Sequence, residues 1–449
     1  MQNLLNDHLP KKCKFIQNTI VITRLYCLFA IILHVIMVIK FSISNYRSIF
    51  HIQTLNFRAT NLVSEDKEID KRNIAELGAN RILKSIGIYG ANASGKSNVL
   101  RGLSFFRLMV RNSLTSEELS KSEINPFRQS SEKVENFGFF EVVLLLDLKK
   151  YRYGFTLNAK SDIESEWLFG PAEKKDTFYF TRKNEETLIN PIWFQESDDL
   201  PKEKLRSNAL FLSFCASYDG KISTLIRNYI SDKITIDIGT SNRRISPLIL
   251  RNNKFTDSLI ESGNKSVILK WMKEVGLHFS DVKLDKIEVG GKSYGNFVIL
   301  SKNIYNESGE VKGEILMNLE EDESDGTRKF YSYIGQLYEK FENGGMFVSD
   351  EIDSNFHPSL LRKLICYFNN TSINKANAQI LFTSHDTNLM YPDIMRRDQF
   401  YFTEKSNLDE TLLYSLADLK GVRNNADFAR QYLAGLYGAL PILGNYLEE

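Results

Sequence analysis

The segment Gly90-Ala-Asn-Ala-Ser-Gly95-Lys96-Ser97 satisfies the spacing G-x-x-x-x-G-K-[ST] at every fixed position. A loop of this type turns its backbone N–H groups inward, where they join the N-terminus of the following helix in binding phosphate oxygens. Lys96 is then expected to reach the β- and γ-phosphates of ATP, and the Ser97 hydroxyl to ligate magnesium (Mg2+). Gly90 and Gly95 allow backbone angles and a close approach that a Cβ would block. With Asn92 and Asn98, these residues form the candidate nucleotide-binding set.

Three later segments could complete the site. In GGMFVSDEIDSNFHP, residues 344–358, a short apolar strand ends in Asp350-Glu351. An acid at the end of a strand beside the phosphate-loop strand can hold magnesium, which assigns Asp350 to the metal. The next carboxylate, Glu351, can orient and deprotonate an attacking water. An Asp-Glu pair alone is commonly a solvated turn, and its pairing with the phosphate loop is what favours the catalytic reading. In AQILFTSHDTNLM, residues 378–390, a second strand delivers His385 to its carboxyl edge, where open α/β sheets place ligands and where it can hydrogen-bond the γ-phosphate. In ESDGTRKFYSYIGQLYEKFENGG, residues 323–345, Ser324 and Gly326 stand at a helix start. They make either an anion site or, with Ser324 or Asp325, an ordinary N-cap.

The elements that must position these groups are legible as periodicities. Ser85–Tyr89 reads as a buried strand, and Val99, Leu100, Leu103, Phe106 and Val110 form one apolar stripe at helical spacing. Met346–Val348 and Gln379–Phe382 read as strands. Phe330, Tyr333, Ile334, Leu337, Tyr338 and Phe341 share a helical face that Gly344 ends. The fold class expected is α/β: a P-loop NTPase with a mixed β-sheet flanked by helices.

Taken in order, ISNYRSI, GANASGKSN, ESDGTRK, FVSDEID and FTSHD resemble the ABC-type ATPase head of SMC, RecF and OLD-like proteins. The details NYRS, DEIDSNFHP and RQYLAGLYGALP resemble more narrowly the AAA-labelled ATPases of bacterial anti-phage and abortive-infection operons, RloA- and AriA-like. The resemblance implies a head-to-tail homodimer, or a higher homo-oligomer, with ATP at the interface. It places Ser324 and Gly326 of one subunit on the γ-phosphate held by Lys96 of the other, Asp353 at the dimer seam and Arg47 near the phosphates. ESDGTRK departs from the family's LSGGQ, and no magnesium-ligating glutamine is evident between the two motifs; Gln129 stands at a plausible distance.

Residues 37–135 are expected to form the N-terminal part of the head and 286–449 the C-terminal part. Between them, 136–285 is expected as an insertion, β-rich and then helical. A hairpin is expected at Leu148–Lys150, strands at Phe178–Thr181 and Leu188–Trp193, helices across 203–276, and a mainly helical closing segment. No apolar heptad repeat persists, which excludes long coiled-coil arms. In the first residues, the uncharged run Leu25–Ile39 is shorter than the ~18 residues of a membrane span. Met37 opens an alternating strand, so residues 1–36 are read as an upstream extension in preference to a membrane anchor. Four scattered cysteines fit a reducing cytoplasm, and a net charge of +1 gives no global pull towards nucleic acid.

The motifs predict a cytoplasmic, magnesium-dependent ATPase, and the family resemblance implies that it switches a separate effector, a nuclease or toxin, in anti-phage defence. Two alternatives stay open: a RecF-like repair ATPase that binds DNA directly, and a nucleotide-gated scaffold with little turnover.

Overall fold

The computed structural model describes residues 36–116, 126–127, 138–158, 160–173, 175–238, 253–289 and 292–441, with side chains left aside at 286–295. Gln129 and the extension expected up to residue 36 lie outside them, except that Ile36 already belongs to the first strand. The chain opens with β1 (Ile36–Ser44) and β2 (Gln53–Asn56), then α1 (Lys67–Asn73) and the hairpin β3 (Ile74–Leu77) and β4 (Asn80–Leu83). β5 (Ser85–Gly90) feeds the phosphate loop and α2 (Lys96–Asn112).

An antiparallel meander follows: β6 (Gly138–Leu146), β7 (Lys149–Leu157), β8 (Ile163–Gly170), β9 (Thr177–Lys183) and β10 (Glu186–Ile189). Asp147 and Leu148, both at positive φ, make the two-residue turn expected between β6 and β7. The strand expected to run on to Trp193 stops at Ile189. There the Asn190 carboxamide oxygen accepts the N–H groups of Ile192 (3.1 Å) and Trp193 (3.3 Å) and turns the chain away. The β-rich lobe expected as an insertion attached to the head shares one sheet with the N-terminal strands. That sheet has seven strands in the order β10-β9-β8-β7-β6-β1-β2, with Phe41 of β1 opposite Val142 of β6.

The helical run expected across 203–276 is likewise broken. α3 (Phe211–Ser217) and α4 (Lys221–Asn228) lead through a π-turn to β11 (Ile234–Asp237), an edge strand of the central sheet. α5 (Lys254–Glu261) and α6 (Lys265–Glu274) come next, then a three-stranded sheet of β12 (Asp281–Val289), β13 (Lys292–Tyr305) and β14 (Val311–Asn318). α7 (Leu319–Asp322) and α8 (Asp325–Asn343) precede β15 (Met346–Ser349), α9 (Pro358–Asn369), β16 (Gln379–Thr383), β17 (Phe400–Lys405) and β18 (Thr411–Ser415). The closing segment is mostly turns. α10 (Phe428–Leu433) is its one described α-helix, because Gly421, Gly435 and Gly438 take positive φ and interrupt helical continuation. α8, with 19 residues, is the longest described helix, and none is long and apolar enough to cross a membrane.

The central sheet runs β11-β15-β16-β5-β17-β18, parallel from β11 to β17, with β18 antiparallel at the edge. All six residues of β5 are buried, as a parallel strand covered on both faces requires. On one face α2 and the seven-stranded sheet form a core in which Phe106 stacks on Phe155. On the other, α8 and α9 pack with Phe347, Ile380 and Phe382. At the end of the sheet remote from the phosphate loop, buried amides fix the strand register. Gln379 donates to the carbonyls of Val38 (3.0 Å) and Leu83 (3.1 Å) and accepts the Val38 N–H, while Gln399 donates to the Ser85 carbonyl (3.0 Å).

A buried ion pair ties α3 to the seven-stranded sheet. The fully buried Glu166 accepts the N–H groups of Phe211 (2.7 Å) and Leu212 (2.9 Å) and the Tyr153 hydroxyl (3.0 Å). Arg182 lies 3.8 Å away and donates to the Ala209 carbonyl. Burial pushes the Glu166 carboxyl above its ordinary range, and Arg182 with these donors pulls it back. Glu166→Ala strands Arg182 and two helix-start N–H groups, and should destabilise the fold by about 3–5 kcal/mol. Chemical denaturation checks this: a loss below about 1 kcal/mol would show that the pair does not anchor α3.

Candidate functional site

The phosphate loop takes its shape from two glycines and from the hairpin of β17 and β18 behind it. Gly90 and Gly95 have φ of 148° and 110°. A Cβ on Gly90 would collide with the Thr403 carbonyl, and one on Gly95 with the Thr411 hydroxyl. Side chains brace the same contact: Ser94 and Thr403 share a hydrogen bond (2.6 Å), and the Thr411 hydroxyl donates to the Ser94 carbonyl (2.9 Å). Lys96, only 6% exposed, donates to the carbonyls of Gly90 and Ala91, both at 2.9 Å. Burial draws its ammonium below the ordinary lysine range, against the pull of the carboxylates Asp350, Glu351 and Asp353.

Sheet order then brings the distant segments together. With β16 beside β5 and β15 next to β16, the carboxyl ends of three strands open on one edge. The Ser97 hydroxyl donates to Asp350 Oδ1 at 3.0 Å, and the Thr383 hydroxyl donates to the same oxygen at 2.6 Å. The Glu351 N–H donates in turn to Thr383 Oγ1 (2.7 Å). Asp350 N–H donates to the carbonyl of Asp237 at the end of β11 (2.9 Å). The His385 N–H donates to Asp353 Oδ2 at 3.2 Å.

A cleft of about 230 Å³ opens over this edge. Asn92, Gly95, Lys96, Ser97 and Asn98 line one side, and Glu351 and His385 line the other. Arg101 also lines it. It stands four residues beyond Ser97 on α2, a spacing that puts both on one helical face and that sequence alone could have flagged. Asn98 is braced as well, donating to the Ser48 hydroxyl at 2.7 Å.

Three expected residues stand elsewhere. Arg47 lies in the turn between β1 and β2, where its Nε donates to the Tyr46 hydroxyl (3.2 Å) and its guanidinium packs on the Tyr46 ring. Ser324 is the N-cap of α8, accepting the Thr327 N–H at 3.2 Å, so its capping reading holds. Gly326 lies against the Asn355 carbonyl, from which a Cβ would stand 2.6 Å away. None of the three lines the cleft formed by its own chain. Thr383 and Asp237 were not singled out in the sequence: Thr383 is one threonine among many, and β11 gave no strand signal.

The donor set suits a hard divalent cation. Ser97 Oγ and Asp350 Oδ1 are oxygens at hydrogen-bond separation, and magnesium takes oxygen ligands from one or two protein groups together with substrate phosphates. Among the described residues no cluster of three His, Cys, Asp or Glu side chains could hold a metal by itself, so magnesium here would rely on the phosphate oxygens.

Solved structures similar to this chain include the SMC head domain from Thermotoga maritima, at 12% identity and TM-score 0.38, covering 84% of this chain and 98% of that one. Another is the Smc head domain with an extended coiled coil bound to the C-terminal domain of ScpA, derived from Pyrococcus furiosus, at 10% identity and TM-score 0.40, covering 89% and 99%. A third is the Smc head domain with a coiled coil and joint derived from Pyrococcus yayanosii, at 10% identity and TM-score 0.38, with the same coverage. No curated protein matches the chain. The family described as "AAA domain, putative AbiEii toxin, Type IV TA system" matches residues 85–227 and 269–390. Those stretches exceed half of the chain and contain the phosphate loop, Asp350, Glu351 and His385, so the chain belongs to this AAA-domain family.

Proposed function

We propose that this chain is an ABC-type ATPase that closes into a head-to-tail dimer on ATP and reopens on hydrolysis, switching a separate effector. The observation that carries the reading is the meeting of Ser97, Thr383 and Asp350 at one oxygen, with Glu351 and His385 on the same cleft as Lys96. The N–H groups of the phosphate loop and the start of α2 would bind the phosphate oxygens, and the Lys96 ammonium would offset their charge. Ser97 and Asp350 would hold magnesium, which when bound draws negative charge off the β- and γ-phosphates. Glu351 would take a proton from the attacking water, and His385 would donate a hydrogen bond to a γ-phosphate oxygen. Ser324 and Gly326 would meet the γ-phosphate of the other subunit, with Asp353 at the seam and Arg47 near the phosphates.

A role in anti-phage defence, with a nuclease or toxin as effector, is supported by the toxin–antitoxin wording of the family description and by the operon-type resemblance of DEIDSNFHP. The toxin–antitoxin context makes a separate effector polypeptide the partner to seek.

Two substitutions test the chemistry. Lys96→Ala should abolish ATP binding measured by titration with a fluorescent nucleotide; unchanged affinity would refute the phosphate-loop assignment. Glu351→Gln should keep ATP affinity and lower turnover by ~100-fold or more, the contribution of a general base. It should also accumulate an ATP-bound dimer by size-exclusion chromatography with light scattering. Undiminished turnover in that variant would remove Glu351 as the base.

A further inference from the structure

Glu351 is held in an unusual backbone conformation, with φ of 46°. The left-handed region costs a non-glycine residue of order 1–3 kcal/mol and persists only where surrounding structure over-determines it. Two side chains pin this residue. Thr383 accepts its N–H, and the Lys329 ammonium donates to its carbonyl at 3.3 Å. Lys329 also reaches the carbonyls of Ile352 (3.3 Å) and Ser354 (2.9 Å) and the Ser354 hydroxyl (2.8 Å). Its ammonium also lies over the Phe356 ring, 4.9 Å from the centroid. Burial lowers its pKa, and Asp237, Asp353 and Glu351 oppose that shift.

Lys329 belongs to α8, the helix that Ser324 caps and that carries Gly326 in its first turn. One turn further on, the Tyr333 hydroxyl donates to Asp237 Oδ2 (2.6 Å) and shares a hydrogen bond with Ser349 Oγ (2.9 Å). α8 therefore grips both flanks of Asp350-Glu351: Ser349 before and the Glu351–Ser354 backbone after. Gly326 adds a third contact, against the Asn355 carbonyl.

We infer that Lys329 is a positioning residue that fixes the Glu351 backbone and ties the aim of its carboxylate to the start of α8. The inference rests on the reading of Glu351 as the base. A contact made at Ser324 or Gly326 would then reach the base inside the same subunit through one rigid helix. Loss of the ammonium would free Glu351 to leave the left-handed region and would carry the carboxylate off the cleft, while the phosphate loop, which Lys329 does not touch, would keep its grip on nucleotide.

The test is Lys329→Met in the full chain, which keeps the apolar stem and removes the charge. Misplacing a catalytic group by about 1 Å can cost ~100-fold, so kcat should fall by ~10-fold or more while ATP affinity stays within ~2-fold. Backbone amides of residues 351–355 should exchange with deuterium faster than in the wild type, with those of the phosphate loop unchanged. Lys329→Arg should recover most of the turnover. If the methionine variant does not fold, Lys329→Gln is read the same way. Wild-type turnover in the variant, or an equal loss of ATP affinity, overturns the inference and leaves the proposed function standing. A wild-type chain that binds ATP without hydrolysing it sinks both.

Discussion

One carboxylate oxygen organises the site. Asp350 Oδ1 receives the hydroxyls of Ser97 and Thr383, and these three residues come from the end of β15, the start of α2 and the end of β16. Such a meeting needs parallel strands in a fixed register, because a slip of one residue would turn Asp350 to the opposite face. The register is set at the other end of the sheet. There Gln379 and Gln399 use fully buried amides to satisfy backbone groups of Val38, Leu83 and Ser85. Buried amides are costly when unpaired, so any other register of β16 or β17 against β5 would carry that penalty.

The same economy of contacts explains why the phosphate loop needs both of its glycines. The loop is pressed against the edge hairpin at Thr403 and Thr411, where hydroxyls meet backbone at distances that leave no room for a Cβ. The loop's shape is thus dictated from behind as much as from its own residue types. Asn98 and Ser48 extend this bracing to the turn between β1 and β2, where Ser48 also shares a hydrogen bond with Thr411 (2.7 Å).

Much of this was legible in the sequence, and the misses have physical causes. The motifs around Lys96, Asp350 and His385 gave the cleft, because each follows an apolar run long enough to read as a buried strand. β11 escaped because ITID is short and partly polar, and its strand character comes from pairing with β15 rather than from burial on both faces. The meander was legible as a β-rich insertion but its sheet partner was not, because nothing in β6 announces that it pairs with β1, far earlier in the chain. Lys329 was not singled out, because a lysine on an amphipathic helix carries no signal of its own, and only the return of the 351–354 backbone gives the ammonium its partners.

The place of β5 in the sheet bears on how the molecule is made. β5 is flanked by β16 on one side and β17 on the other, both of which follow it by roughly three hundred residues. On the ribosome, a central strand that ends up fully buried must wait without either neighbour until those later strands have emerged. The loop that nucleotide would grip is itself braced by Thr403 and Thr411, which are translated with those late strands. Until then Ile86 and Ile88 lack the sheet neighbours that cover them in the folded chain, an exposure of the kind that makes a nascent chain prone to aggregate.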